Sequence, residues 1–262
     1  MKDLIRINEN ICRLTIPYKD IFTTVYTVTA PGGTVLFDAA STDEDTREYL
    51  LPLLREVGIP PEELTCIFIS HNHRDHAGGL VELINACPNA RIASRSPQLA
   101  EQYGERVFLP EDGEKLLGCF RCIAIPGHTP DSMALLDERT NTLITGDSLQ
   151  QFGIFGSEDW GAAIRLPAEH FAAVEKVRRL GAGQILSAHD YHPYGYRADT
   201  REACERILDA CIEPLVRLKA LLTAHPELDD AAIRQAYLDA DRVPPVHTRV
   251  VAAMRLMLES EA

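Results

Sequence analysis

Short apolar, β-rich runs alternate with polar turn signals through the first forty residues. Ile11 to Ile16 and Thr23 to Thr29 are rich in β-branched side chains, Pro31-Gly32-Gly33 supplies a turn, and Thr34-Val35-Leu36-Phe37-Asp38 is a further β-rich run. This spacing predicts antiparallel strands joined by tight turns. The period then lengthens. Ser41 or Thr42 can cap a helix whose acidic first turn, Asp43-Glu44-Asp45, suits the positive end of its dipole. Leu50, Leu51, Leu53, Leu54 and Val57 form its apolar face, and Gly58 ends it. Cys66-Ile67-Phe68-Ile69-Ser70 is almost wholly apolar and of strand length, the mark of a strand buried on both faces. A helix from Gly79 to about Ala86, a strand near Arg91-Ile92-Ala93 and a short helix opened by Pro97 follow. Strands are expected at Phe120 to Ile125, Ser132 to Leu136 and Thr142 to Thr145. The interval 148–166 has no clean period and reads as a covering or functional loop, with Phe152, Phe155 and Trp160 set among glycines. Pro167 opens a helix to about Leu180, Gly181 and Gly183 break it, and Gln184 to Ser187 make a strand. From about Asp199 the tail is helical, with Pro214 expected to kink or split its first helix.

Chemistry-bearing residues collect at the ends of these strands. His71-Asn72-His73-Arg74-Asp75-His76 follows the buried strand directly. On extended backbone, residues two apart point to the same side, so His71 and His73 can converge on one ion. A turn after them would swing Asp75 and His76 toward a second position, and Gly78-Gly79 let the backbone bend into the next helix. His128, Asp147 and His189 each stand at the loop end of a later strand, where sites gather because loops converge over a rigid sheet. Imidazole and carboxylate donors suit zinc and other first-row ions.

With these residues the chain resembles the metallo-β-lactamase superfamily, whose H-x-H-x-D-H motif is matched by His71, His73, Asp75 and His76. The similarity runs over about residues 4 to 195. It implies a four-layer αβ/βα sandwich, an α/β (α+β) fold, with a catalytic domain over 1–197 and a helical extension over 198–262. It also implies that His71, His73 and His128 bind a first metal, that Asp75, His76 and His189 bind a second, and that Asp147 bridges them. Asp38 resembles the acid that supports a metal ligand in that family; capping a helix or turn is its other reading. The implied cofactors are two divalent ions, zinc first, with iron or manganese as alternatives. Members that degrade penicillins generally carry Cys or Ser where this chain has Asp147. A carboxylate there resembles glyoxalase II, lactonases and related acyl hydrolases. After Asp147 the chain reads Ser148-Leu149-Gln150-Gln151, without the Cys-Gly-Arg type signature of glyoxalase II and persulfide dioxygenases, which argues against glutathione-linked substrates.

Two ions sharing a water make hydroxide available near neutral pH, so hydrolysis of a small ester, thioester, lactone or related acyl compound is the expected chemistry. Asp75 is the expected catalytic residue, orienting the nucleophile as well as ligating. Two other classes compete: an iron-dependent sulfur dioxygenase-like oxidoreductase, and a metal-binding regulatory protein with weak residual hydrolysis. Tyr191, Tyr194 and Tyr196 follow His189, and one of them could donate a hydrogen bond to a developing oxyanion. His170, His225 and His247 read as structural.

Composition narrows the partners. The 262 residues are 45% hydrophobic and 25% charged, ordinary for a globular chain, and the formal charge of −13 opposes binding to nucleic acid or anionic membranes. Seven scattered cysteines do not read as a disulfide framework, and the charged N-terminus lacks the apolar stretch of a secretory signal. A soluble, cytoplasmic enzyme acting on a small molecule is the expectation, with the oligomeric state open, a homodimer included.

Overall fold

The structure, a computed structural model, describes residues 3–155, 157, 160–240 and 246–261. Two compact units divide the chain: Met1–Ala124 with Met133–Arg139, and Ile125–Ser132 with Thr140–Ala262.

In the first unit, β1 (Asp3–Arg6), β2 (Ile11–Tyr18), β3 (Ile21–Ala30) and β4 (Gly33–Phe37) form an antiparallel ladder. To β4 are added, all parallel, β5 (Leu64–Phe68), β6 (Arg91–Ala93) and β7 (Val107–Phe108), so the seven-stranded sheet is mixed. The change from antiparallel to parallel needs a crossover. Here it is the helix α1 (Asp43–Asp45), continued through a π turn (Thr46–Leu50) into α2 (Leu51–Glu56). Of the two possible caps it is Thr42 that serves, its Oγ1 accepting from the Asp45 amide at 3.0 Å. The π turn was not legible in the sequence. The Leu51 amide reaches back to the Thr46 carbonyl, and Pro52, next in line, has no N–H to give.

Three further helices follow: α3 (Arg74–Ala77), α4 (Leu80–Ala86) and α5 (Pro97–Tyr103), the last capped by Ser96. Leu14 and Ile16 of β2, Val25 of β3, Leu36 of β4 and Ile67 of β5 pack with Leu50, Leu54, Leu80 and Leu83 from the helices in one buried apolar cluster. β5 is buried almost throughout, as its apolar run requires. The unit also holds three antiparallel strands, β8 (Lys115–Leu116), β9 (Phe120–Ala124) and β10 (Met133–Asp137).

The second unit carries three strands of its own. β11 (Thr142–Ile144) pairs in parallel with β12 (Gln184–Leu186), and β13 (Arg197–Ala198) pairs antiparallel to β12. Between β11 and β12 runs α6 (Pro167–Leu180), which ends at Gly181 with φ of +68°, a backbone conformation that glycine adopts without strain. The interval 148–166 has neither helix nor strand among its described residues, and two isolated bridges, Gly153 to Gly161 and Ile154 to Tyr191, tie it down. Gly156, Glu158 and Asp159 of that loop lie outside the described residues.

The tail forms α7 (Arg201–Ala224), α8 (Asp230–Ala240) and α9 (Thr248–Glu261). Of the two outcomes expected from sequence, a kink or a split, the split does not occur: α7 runs through Pro214 without interruption. A proline inside a helix costs about 3 kcal/mol through the lost hydrogen bond and the ring clash. Leu215, Leu218 and Leu222, on the same buried stripe, pack against Ile233, Tyr237, Val250, Val251 and Met254. Each fully buried leucine contributes about 1.5–3 kcal/mol, so the three together outweigh the proline.

With two sheets and helices, the chain has the mixed α/β fold class that the sequence predicts. Among the described residues no helix is long and apolar enough to cross a membrane.

Candidate metal centre

In the first unit the ligand candidates sit between β5 and α4, on the short α3 turn and the extended residues before it. Asp38, directly after β4, organises them. It is fully buried with φ of +67°, a region aspartate tolerates better than most residues. Its Oδ1 accepts from the Ser70 amide at 2.7 Å, and its Oδ2 accepts from the Ser70 hydroxyl at 2.9 Å and from His76 Nδ1 at 2.7 Å. Burial pushes the Asp38 carboxyl above the ordinary carboxylate range, while the His76 imidazole and the Ser70 donors pull the other way.

These bonds set two histidine tautomers. His76 carries its proton on Nδ1 toward Asp38, which leaves the lone pair on Nε2. Ser70, its hydroxyl hydrogen directed at Asp38, can only accept from His71 Nδ1, 3.0 Å away, so His71 also presents Nε2. His71 Nε2 lies 3.0 Å from His73 Nδ1, near the roughly 3.3 Å kept by two nitrogens that share one tetrahedral zinc at about 2.0–2.1 Å each. Asp75 Oδ2 stands 3.4 Å from His76 Nε2. The first unit thus brings its four predicted ligands together as two donor pairs, His71 with His73 and Asp75 with His76.

In the second unit Asp147 lies between two histidines. Its Oδ2 is 3.7 Å from His128 Nε2 and its Oδ1 is 3.3 Å from His189 Nε2. All three side chains are buried. His128 Nδ1 donates to the Ala163 carbonyl at 2.6 Å, which assigns its lone pair to Nε2. Gln150 holds the same corner, its Oε1 accepting from the Ala163 amide at 2.6 Å and its Nε2 lying 3.1 Å from His128 Nδ1. Gly127, with φ of +152°, leaves no room for a side chain: a Cβ there would lie 2.8 Å from His170 Cβ and Nδ1. Its carbonyl accepts from the Arg165 and Leu166 amides, fixing the turn that carries His128.

His170 is structural, as expected, although its role beneath the His128 turn was not foreseen. It is fully buried, its Nε2 donates to the Cys211 carbonyl at 3.0 Å, and burial lowers its pKa to about 4. Of the three tyrosines after His189, buried Tyr191 contacts a ligand candidate, its hydroxyl donating to Asp147 Oδ1 at 2.9 Å. Tyr194 is exposed. Ser70, Gln150 and Ala163 were missed by sequence reasoning. The position of Ser70 immediately before His71 was the only signal, and the other two act through loop geometry that no local pattern encodes. The seven cysteines are free, and Cys119 and Cys122 form no disulfide.

The donors gathered within each unit are imidazoles and carboxylates, the set that divalent first-row metals take. Comparison with known proteins gives the same picture. The curated relatives include a hydroxyacylglutathione hydrolase of Francisella tularensis, 31% identical over 137 residues, which are 49% of this chain and 50% of that protein. They also include the protein YobT of Bacillus subtilis, 27% identical over 187 residues, 62% of this chain and 76% of that one. The chain spans about half the length of the first of these relatives. Among solved structures, a metallo-beta-lactamase from Pontibacter korlensis superposes with a TM-score of 0.62 at 16% identity, over 81% of this chain and all of that one. The rubredoxin oxygen:oxidoreductase of Desulfovibrio gigas superposes with a TM-score of 0.65 at 21% identity, over 81% of this chain and 61% of the other. The family model described as the metallo-beta-lactamase superfamily matches residues 18–209, most of the chain and every ligand candidate. The chain belongs to the metallo-beta-lactamase superfamily.

Proposed function

We propose that this protein is a metal-dependent hydrolase of a small ester, thioester, lactone or related acyl substrate. On this reading His71, His73 and His128 hold one ion, Asp75, His76 and His189 hold a second, and Asp147 bridges them. The observation that carries it is the Asp147 carboxylate, whose two oxygens are each directed at a different histidine, His128 on one side and His189 on the other. The proposal extends to a catalytic domain over 1–197 with a helical extension over 198–262, and to zinc as the native metal.

Two bound divalent ions supply a hydroxide near neutral pH and polarise the acyl carbonyl. The chain's own residues do the rest. Asp38 and Ser70 keep His71 and His76 in the tautomers that present Nε2, and the Ala163 carbonyl does the same for His128. Asp75, partly exposed and 3.4 Å from His76 Nε2, would help hold an ion beside His76 and would orient the nucleophile by accepting its hydrogen bond. A proton is returned to the leaving group through solvent.

The test is elemental analysis of the full chain purified without a metal-affinity tag, together with its Asp147→Ala and His128→Ala variants and a panel of esters, thioesters (hydroxyacylglutathione among them) and lactones. About two zinc ions per parent chain, fewer in the variants, and turnover on the panel that Asp75→Asn cripples are expected. Unchanged kcat in Asp75→Asn with full metal content refutes the role of Asp75. An iron-dependent oxidoreductase is the competing reading, because the same donors suit iron and because structural neighbours include the rubredoxin oxygen:oxidoreductase and a flavo di-iron protein of Thermotoga maritima. Iron in the purified chain with oxygen uptake would favour it.

A further inference from the structure

Tyr191 is used by none of the steps above, yet it is one of the largest side chains buried in the molecule, at 1% exposure. A phenol removed from water retains its place at least cost when its hydroxyl is satisfied, and here the partner is a carboxylate oxygen: the Tyr191 hydroxyl donates to Asp147 Oδ1 at 2.9 Å. The ring makes a second contact, standing edge-on to the His189 imidazole at 5.8 Å between centroids with an interplanar angle of 81°. The two contacts place Tyr191 against both His189 and Asp147.

The backbone that carries Tyr191 is tied on both sides. It bridges to Ile154 of the 148–166 loop, and its carbonyl accepts from the Gly195 amide. On the same strip the Phe152 N–H donates to the His192 carbonyl and the His192 N–H donates to the Gly153 carbonyl. A ring anchored in this way cannot follow Asp147 if the carboxylate rotates, so the hydrogen bond restrains the carboxylate torsion.

We propose that Tyr191 is a positioning residue of the metal centre: its hydroxyl holds the Asp147 carboxylate in the rotamer that directs one oxygen toward His128 and the other toward His189. The inference rests on the reading of Asp147 as a bridging ligand. Without the hydroxyl, Asp147 can turn out of the line between the two histidines, and metal binding must then supply the ordering.

The experiment compares the full parent chain with Tyr191→Phe, Asp147→Asn and the double variant, using zinc and cobalt(II) as probes. Phenylalanine keeps the ring and its contact with His189 and removes only the hydroxyl. Supporting ligand bonds of this kind are typically worth 10–100-fold in metal affinity, so Tyr191→Phe should weaken the more loosely held zinc by about that factor. The visible spectrum of the cobalt(II) form should change, and the melting temperature of the chelator-stripped protein should stay near that of the parent. In the Asp147→Asn background the same substitution should cost no further affinity, because the residue acts through Asp147. Parent-like zinc affinity and cobalt spectrum in Tyr191→Phe overturn the assignment, as does a loss that is undiminished in the Asp147→Asn background. Those outcomes leave the hydrolase reading standing, whereas a parent chain that takes up no metal overturns both.

Discussion

Replacing Asp38 by asparagine should release metal without unfolding the protein. The substitution keeps the size of the side chain, and asparagine, like aspartate, tolerates the positive φ at this position. What changes is the count of acceptors. Asp38 accepts three hydrogen bonds, one at Oδ1 from the Ser70 amide and two at Oδ2 from the Ser70 hydroxyl and His76 Nδ1. An asparagine has one oxygen for these donors and places an NH2 where the other oxygen was. The Ser70 amide hydrogen is fixed in the backbone and a buried unpaired N–H costs about 1–3 kcal/mol, so the amide oxygen should stay at the Oδ1 position. The NH2 then faces the Ser70 hydroxyl and His76, both of which can reverse. Ser70 would turn its hydrogen toward His71 Nδ1, and both His71 and His76 would shift their protons to Nε2, the nitrogen each offers to metal. Binding would have to undo this change. The lost charge-assisted bond is worth about 1.5–3 kcal/mol, which at about 1.4 kcal/mol per decade is roughly 10- to 100-fold in affinity.

Chelator competition with zinc measures that loss, and nitrogen-15 spectra of histidine-labelled, metal-free protein report the two tautomers directly. The expected result is weaker binding at both positions and a proton moved to Nε2 in His71 and His76. The stripped variant should melt close to the parent, since burial disfavours the ionised Asp38 side chain in the first place. Parent-like affinity for both ions, with Nδ1 still protonated in both rings, would refute the reasoning.

Two further substitutions probe the scaffold. Burial lowers the His170 pKa from an ordinary 6.5 to about 4, so the unfolded chain takes up this proton first as the pH falls. Its contribution is complete above pH 6.5 and is lost progressively down to about pH 4, up to roughly 3 kcal/mol. His170→Gln, which can still donate to the Cys211 carbonyl but does not titrate, should therefore flatten the melting profile of chelator-stripped protein over that window, and parallel profiles for parent and variant would refute this. Gly78→Ala tests the turn after the ligands: a Cβ there would lie 2.1 Å from the Ser41 carbonyl oxygen and 2.5 Å from that of Arg74, both backbone atoms. A cost of about 3 kcal/mol and an apparent melting temperature lower by at least roughly 5 °C are expected. A variant that melts with the parent would show that the turn has room.

Much of this architecture was legible in the chain itself, because its signals are local. The β-rich runs of β2 and β3, the apolar run of β5 and the Pro167-to-Gly181 limits of α6 follow from side-chain character and from the backbone preferences of proline and glycine, and they appear where the sequence puts them. The ligand candidates were legible for the same reason: His71 and His73 share a side of an extended segment, and their nitrogens lie 3.0 Å apart. Other features depend on partners distant in sequence. Pro214 obeys the local rule for breaking a helix until the burial of Leu215, Leu218 and Leu222 against α8 and α9 outweighs it. Asp38 could have been a cap or a supporting acid, and only the approach of Ser70 and His76, more than thirty residues later, decides between them. Gln150 and Ala163 reach the ligand candidates through an irregular loop whose course has no period to read, and Tyr191 is tied to that loop by its bridge to Ile154. The sequence by itself pointed to most of the elements and nominated the candidate donors. Tertiary structure decided which nitrogen of each histidine is offered and which neighbours hold it, since a tautomer is chosen by a hydrogen-bond partner, and that partner is brought in by the fold.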